Sequence, residues 1–219
     1  MKVEEHILND IKPLNLEFKA GETLRLMEEL KLCHLPVLHD GQYIGLISED
    51  DLLDIQNEQD SLEQHVNVLK PYSLKTTDHL FKAMSRVGEG NLSLLPILDQ
   101  GEKYVGYLSP LELIQDLGRQ LTFSEAGSVV VVEVGVRDYH LSQLTQIVES
   151  DDARVTGVLV HSHGIELLRI ALKINRADIS RILKSLERYE YRIVEVFHKS
   201  IFDNDASDRI ESLIKYLNI

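Results

Sequence analysis

Two short elements carry the residues whose types and spacing could do chemistry: Ser48-Glu49-Asp50-Asp51 and Ser109-Pro110-Leu111-Glu112. Each sets a hydroxyl three residues ahead of a carboxylate, after a strand-like run and before a helical pattern. At a helix start this spacing reads as a capping box, with Asp or Glu at the third helical position. The same groups could hold a small molecule. A carboxylate accepts hydrogen bonds from both hydroxyls of a ribose, and a hydroxyl among free amides can meet a phosphate. His34, immediately before Leu35-Pro36-Val37-Leu38, is a third candidate, because its protonation would offset acidic surroundings. At the corresponding places of the second element stand Leu94 for His34 and Glu112 for Asp51, with Pro110 after Ser109. The first site is therefore Ser48, Asp51 and His34; the weaker second one is Ser109 and Glu112.

Other candidates lead to less. His161-Ser162-His163 shares one face of a strand, but no third ligand is near in sequence, so we expect solvated residues at a hairpin end rather than a metal site. Cys33 abuts His34, yet neighbours along an extended segment point opposite ways. No phosphate loop, dinucleotide fingerprint or zinc-hydrolase motif occurs, and we expect no catalytic residues. As the only cysteine, Cys33 leaves no route to an intrachain disulfide or a cysteine-based zinc site.

The elements that must position these residues come twice. Leu35-Pro36-Val37-Leu38 returns as Leu95-Pro96-Ile97-Leu98, and Gly45-Leu46-Ile47-Ser48 returns as Gly106-Tyr107-Leu108-Ser109. The shift is 60 positions for the first pair and 61 for the second, so the intervening turn has gained one residue. A repeat of this kind predicts a pseudo-symmetric module with a cleft between its halves. Leu24, Met27 and Leu30 predict a helix over residues 21–32. Asp40-Gly41 is a hairpin signal between two strands, and a helix follows Ser48. In the second copy Gly88 and Gly90 predict a helix that ends early or bends. Before the first copy, residues 4–10 read as a short helix closed by Pro13.

Past residue 127 the pattern changes. Strand-like residues 128–136, helical 139–150, strands at 155–161 and 168–174, a helix around Ile179 to Leu186 and a strand at 192–197 give βαββαβ, a ferredoxin-like plan. Ile210, Leu213, Ile214 and Leu217 predict a C-terminal amphipathic helix that needs cover. The expected domains are residues 1–120 (repeats at about 10–58 and 66–120), a linker at 121–127, a ferredoxin-like domain at 128–199, and a tail with its helix at 200–219.

The composition bounds the partners. The chain of 219 residues carries 23 Lys plus Arg against 36 Asp plus Glu, a formal net charge of -13. Such a surface repels nucleic acid and anionic membrane, and no apolar run approaches the roughly 20 residues that span a bilayer. The acidic, polar start is unlike a secretory signal. A cytoplasmic protein is the expectation.

With Leu35-Pro36-Val37 and Gly45-Leu46-Ile47-Ser48-Glu49-Asp50-Asp51, the first repeat resembles a CBS domain, and the second resembles one with Leu95-Pro96-Ile97 and Gly106-Tyr107-Leu108-Ser109-Pro110-Leu111-Glu112. The C-terminal part is similar to an ACT domain in its order of elements. The expected fold is thus α/β and α+β: a tandem CBS pair, a ferredoxin-like ACT-like domain and a terminal helix. The arrangement resembles regulatory proteins associated with acetoin utilisation. The resemblance implies a regulatory protein that binds an adenosyl ligand (AMP, ADP, ATP or S-adenosylmethionine) in the cleft, at Ser48, Asp51 and His34 first and at Ser109 and Glu112 second. It also implies a homodimer, with a regulated protein partner possible and no cofactor required. The alternative is a ligand-free assembly module holding its partner. ACT domains often carry a glycine where this chain has Arg137-Asp138-Tyr139-His140, which points the ACT-like domain towards pairing rather than amino-acid binding.

Overall fold

The computed structural model describes residues 2–198 and divides into two compact units, residues 1–117 and 118–219. In the first unit, strand β1 (Leu14–Asn15) leads to helix α1 (Ala20–Leu30), strands β2 (His34–His39) and β3 (Gln42–Ser48), and helix α2 (Glu49–Leu53). The second copy runs through β4 (Leu74–Lys75), α3 (Leu80–Gly90), β5 (Leu95–Leu98), β6 (Tyr104–Leu108) and α4 (Pro110–Arg119). Each copy makes a three-stranded sheet, ordered β1-β2-β3 and β4-β5-β6.

The repetition reaches the register. Leu14 lies opposite Val37 in a parallel pair as Leu74 lies opposite Ile97, and the antiparallel partners Val37–Gly45 recur as Ile97–Gly106. Helices α1 and α3 both close on a left-handed residue, Lys31 (φ 56°) and Asn91 (φ 48°). The β2–β3 turn is the two-residue type that twisted hairpins favour, with positive φ at both Asp40 and Gly41. The longer turn of the second copy is held by the Asp99 carboxylate, which accepts from the amides of Gly101 (2.8 Å) and Lys103 (2.9 Å).

Two expectations about helices need correction. Helix α3 does not stop early: it has eleven residues, like α1. A side chain added at Gly88 would meet open space, so this glycine costs the helix only about 1 kcal/mol of propensity, while Leu80 and Ala83 are buried in the core. The expected helix at 4–10 is only a 3₁₀ turn, Val3–His6. Beyond it Leu8 is extended and exchanges two backbone hydrogen bonds with Tyr107, both 2.8 Å.

That pairing has a counterpart that matters for the site. Lys70 exchanges backbone bonds with Leu46 (2.8 and 3.0 Å). Both approaches need a glycine at the preceding residue of the receiving strand. A Cβ on Gly45 would sit 2.7 Å from the Leu69 Cβ, and one on Gly106 would collide with the Leu8 carbonyl. The glycine of each Gly-apolar-apolar-Ser element thus admits a flanking segment to the sheet. A single core fills the unit, from Val3 and Leu62 in the flanking segments to Leu35, Ile47, Leu95 and Leu108 in the strands.

In the second unit a short helix α5 (Leu121–Ser124) precedes β7 (Ser128–Gly135), α6 (Leu141–Glu149), β8 (Val155–His163), β9 (Leu167–Ile174), α7 (Ser180–Arg188) and β10 (Arg192–His198). The sheet order β10-β7-β9-β8 is antiparallel throughout, the ferredoxin-like plan. Val130, Val132, Ile170 and Leu172 turn one face of the sheet to a core shared with Leu144, Val148, Ile182 and Leu186. Residues 121–124, expected as linker, form α5, and the Thr122 hydroxyl donates to the Thr156 carbonyl (2.7 Å). The expected C-terminal helix at Ile210 to Leu217 lies outside the described residues.

Candidate functional site in the first unit

Ser48 ends β3 and caps α2: its Oγ accepts from the Asp51 amide at 3.1 Å. The reciprocal half of a capping box is absent. The Asp51 carboxylate instead accepts from the Ser48 hydroxyl through Oδ2, and both of its oxygens lie near the Lys70 ammonium, at 3.3 Å (Oδ1) and 3.2 Å (Oδ2). Burial alone would raise the Asp51 carboxyl, but the Ser48 hydroxyl and the Lys70 charge outweigh it and hold the group below its ordinary value. The result is an ionised carboxylate, only one-fifth exposed, beside a half-exposed cation.

His34 is directly opposite Ser48 in the β2–β3 pair, so the two side chains emerge on one face. The imidazole bridges the two repeats. Its Nδ1 accepts from the Ser93 backbone amide (3.3 Å) and lies 3.2 Å from Ser93 Oγ, which itself accepts from the Cys33 amide (3.1 Å). A backbone amide can only donate, so Nδ1 is unprotonated and the ring proton is on Nε2. Burial, and then the charge of Lys70, push the His34 pKa below its ordinary value against the opposing pull of Asp51 and Asp50. His34 is thus a neutral donor next to a carboxylate and an ammonium. Cys33 is exposed, and its thiol is pushed up by hydrogen bonding to Glu49 and by burial.

The second copy has a different chemistry. Leu94 is buried where His34 stands in the first. Leu8, by its pairing with Tyr107, takes the place of Lys70. Glu112 is exposed and has no hydrogen-bonding partner among the described residues. On the same half Asp10 accepts from the Tyr107 hydroxyl at 2.8 Å. This half offers carboxylates and a phenol but no cation in Lys70's position.

Lys70, Ser93 and Asp10 were not legible as site residues. Lys70 could have been suspected only from Gly45, whose missing side chain signals a close backbone approach. His161 and His163 lie at the end of β8, and His163 Nε2 is 3.8 Å from Glu133, a buried carboxylate on β7 that Arg169 (3.2 Å) and Arg192 (2.7 Å) already hold. Among the described residues no group of three or more His, Cys, Asp or Glu is placed to hold a metal, and no helix is long and apolar enough to cross a membrane.

The CBS domain family model matches residues 3–58, the whole first repeat with the 3₁₀ turn before it; the second repeat has the same topology and register. An uncharacterized protein of Methanocaldococcus jannaschii is 19% identical over 202 residues, 92% of this chain and 76% of its own. Among solved structures, a CBS domain pair/ACT domain protein from Thermotoga maritima is 21% identical, with a TM-score of 0.48 over 53% of this chain and 96% of that one. A Vibrio cholerae protein ascribed to acetoin utilization is 18% identical, with a TM-score of 0.46 over 53% and 90%. At such identities a ligand does not transfer with the fold.

Proposed function

We propose that the first unit is a regulatory sensor of an adenosyl compound, bound at Ser48, Asp51, His34 and Lys70. The observation that carries the reading is the Asp51–Lys70 pair on the face that His34 shares. The Asp51 carboxylate can accept from both hydroxyls of a ribose. Lys70, half exposed on a flexible stem, can turn from Asp51 to a phosphate, supplying the local cation that an anionic ligand needs on a chain of net charge -13. His34 adds a neutral Nε2 donor. The adenosyl class itself rests on the CBS resemblance. Ser109 and Glu112 form the weaker site, since no ammonium stands ready for phosphate there. Binding signals only if the two repeats take two arrangements of different affinity; the ACT-like domain would transmit that change or pair with its copy.

One observation favours the assembly-module alternative: Asp51 is already satisfied by Ser48 and Lys70 within the chain. A thermal-shift series with adenosine, AMP, ADP, ATP, S-adenosylmethionine and amino acids separates the two readings. A ligand at 100 times its Kd adds about 2.7 kcal/mol, roughly 5–10 °C for a chain of this size. Asp51→Ala should abolish the shift for every adenosyl compound. Lys70→Ala should remove only the advantage of phosphorylated compounds over adenosine. No shift with any adenosyl compound overturns the sensor reading, and a shift that survives Asp51→Ala overturns the site.

A further inference from the structure

Strand β7 is apolar on both of its faces. Val129-Val130-Val131-Val132 is a continuous run, the pattern of a strand buried on both sides, whereas a sheet with one wet face alternates. Among the described residues one of these faces is packed: Val130 and Val132 share a core with α6 and α7. On the other face the register lines up three rows. Val129 lies opposite Lys173 and Phe197, Val131 opposite Ala171 and Glu195, and Glu133 opposite Arg169 and Arg192. Strand β8 adds Gly157, Leu159 and His161 to the same rows. Leu159 and Phe197 are 52% and 56% exposed. Helix α5 reaches this face at Gly157, where a Cβ would collide with the Thr122 methyl. Beyond that corner an apolar strip is left, edged by a polar row.

The strip is also cationic, on a chain of net charge -13. Arg169, Arg192 and Lys173 outnumber Glu133 and Glu195 there, and His161 joins them. Residues 199–219 lie outside the described residues and continue directly from β10. Their sequence has the opposite sign where it begins: Asp203, Asp205, Asp208 and Glu211 stand against Arg209. Ile210, Leu213, Ile214 and Leu217 then follow at the spacing of a helix with one apolar side. Asp208 and Glu211 have the separation of a capping box, with Asp in place of Ser or Thr. The lengths agree as well. Strand β10 leaves the sheet at His198, paired with Ser128, one residue past the Val129 row. From that row to the Glu133 row is about 13 Å of strand, and helical residues 209–217 would span about 14 Å. Residues 199–208 are left for the turn back.

We propose that the occupant of this sheet face is the chain's own C-terminal segment, folded back as a helix with Ile210, Leu213, Ile214 and Leu217 on Val129, Val131, Ala171 and Leu159. Running antiparallel to β10, the helix begins at the Lys173 row, so Asp203, Asp205 and Asp208 come beside that ammonium. Its negative end then comes to Arg169 and Arg192. The same face of a second copy would bring like cations together instead. A tethered segment also acts at an effective concentration on the order of millimolar, which a separate protein would have to exceed. The inference concerns the second unit alone and does not rest on what the first unit binds.

Hydrogen–deuterium exchange on the full chain tests it. The amides of residues 209–217 should exchange at least about tenfold more slowly than in an unstructured chain, because a helix this short is marginal in water without a surface for its apolar side. Leu159→Asp with Phe197→Asp, both at exposed positions, should restore fast exchange there while the β9 amides stay protected. Leu213→Asp with Ile214→Asp should do the same from the side of the helix. Fast exchange in the wild type overturns the proposal, and so does protection that survives the aspartates on an intact sheet. Cross-linking fixes the seat without disturbing the face. In a Cys33→Ser chain, Leu159→Cys and Leu213→Cys should be joined by a short bis-maleimide within one chain, at unchanged mass. A product of doubled mass alone means that the segment reaches a second copy, which overturns the proposal. No joining of either kind places the segment elsewhere and overturns it too.

Discussion

Tyr43 and Tyr104 occupy equivalent places on β3 and β6, and their rings stack with centroids 6.5 Å apart at 20°. Next to them Gln42 and Lys103 pair across the join between the repeats. Deleting one hydroxyl from each should have opposite effects. Tyr43 donates to the Tyr72 carbonyl at 2.6 Å, so Tyr43→Phe forfeits a net hydrogen bond and costs about 1 kcal/mol. The Tyr104 hydroxyl is buried with no partner among the described residues. An orphaned buried polar group costs about 1–3 kcal/mol, so Tyr104→Phe should gain about 1 kcal/mol. The two variants should thus differ by about 2 kcal/mol, near 8 °C for a unit of this size. Urea titrations followed by circular dichroism, with calorimetry to resolve the two units, measure it. The pH dependence supplies a second readout. Burial and the charge of Asp10 push the Tyr104 phenol up to about 12. The unfolded phenol ionises near 10, so its contribution is complete below pH 10 and is lost as pH rises towards 12. Tyr104→Phe should blunt that loss. Equal destabilisation by both substitutions would refute the reasoning, because it would mean that Tyr104 has a partner as good as Tyr43's.

Two further outcomes follow from the first unit. The lowered His34 pKa makes its contribution complete above pH 6.5 and lost as pH falls below it, since the unfolded ring binds a proton first. Wild type should therefore lose stability between pH 7.5 and 5.5, and His34→Gln should flatten that slope. Nitrogen NMR should find the neutral ring protonated on Nε2, and a proton on Nδ1 would contradict the Ser93 contacts. Gly106→Ala, at φ 149° and against the Leu8 carbonyl, should cost about 2–3 kcal/mol by strain and lost pairing with Tyr107, read as a lowered urea midpoint; a cost below 0.5 kcal/mol would show that Leu8 moves freely.

Local order and repetition were determined by the sequence alone. Alternation and helical spacing are carried by neighbouring residues, so the strands about Leu35 and Leu95, the Asp40-Gly41 turn, the Ser48 cap and the βαββαβ order of the second unit are all legible in the order of the residues. A 60-residue shift is visible there too, as is the replacement of His34 by Leu94. The site's composition was decided by the tertiary structure. Lys70 is 19 positions beyond Asp51 and reaches it because Gly45 lets the intervening backbone pair with β3. Ser93 meets His34 from the other repeat, 59 positions away. The glycines of α3 read as a break because propensity is local, whereas burial of Leu80 and Ala83 is not. Contacts between distant segments depend on how two sheets are brought together around one core, and the pattern of either segment by itself holds no record of it.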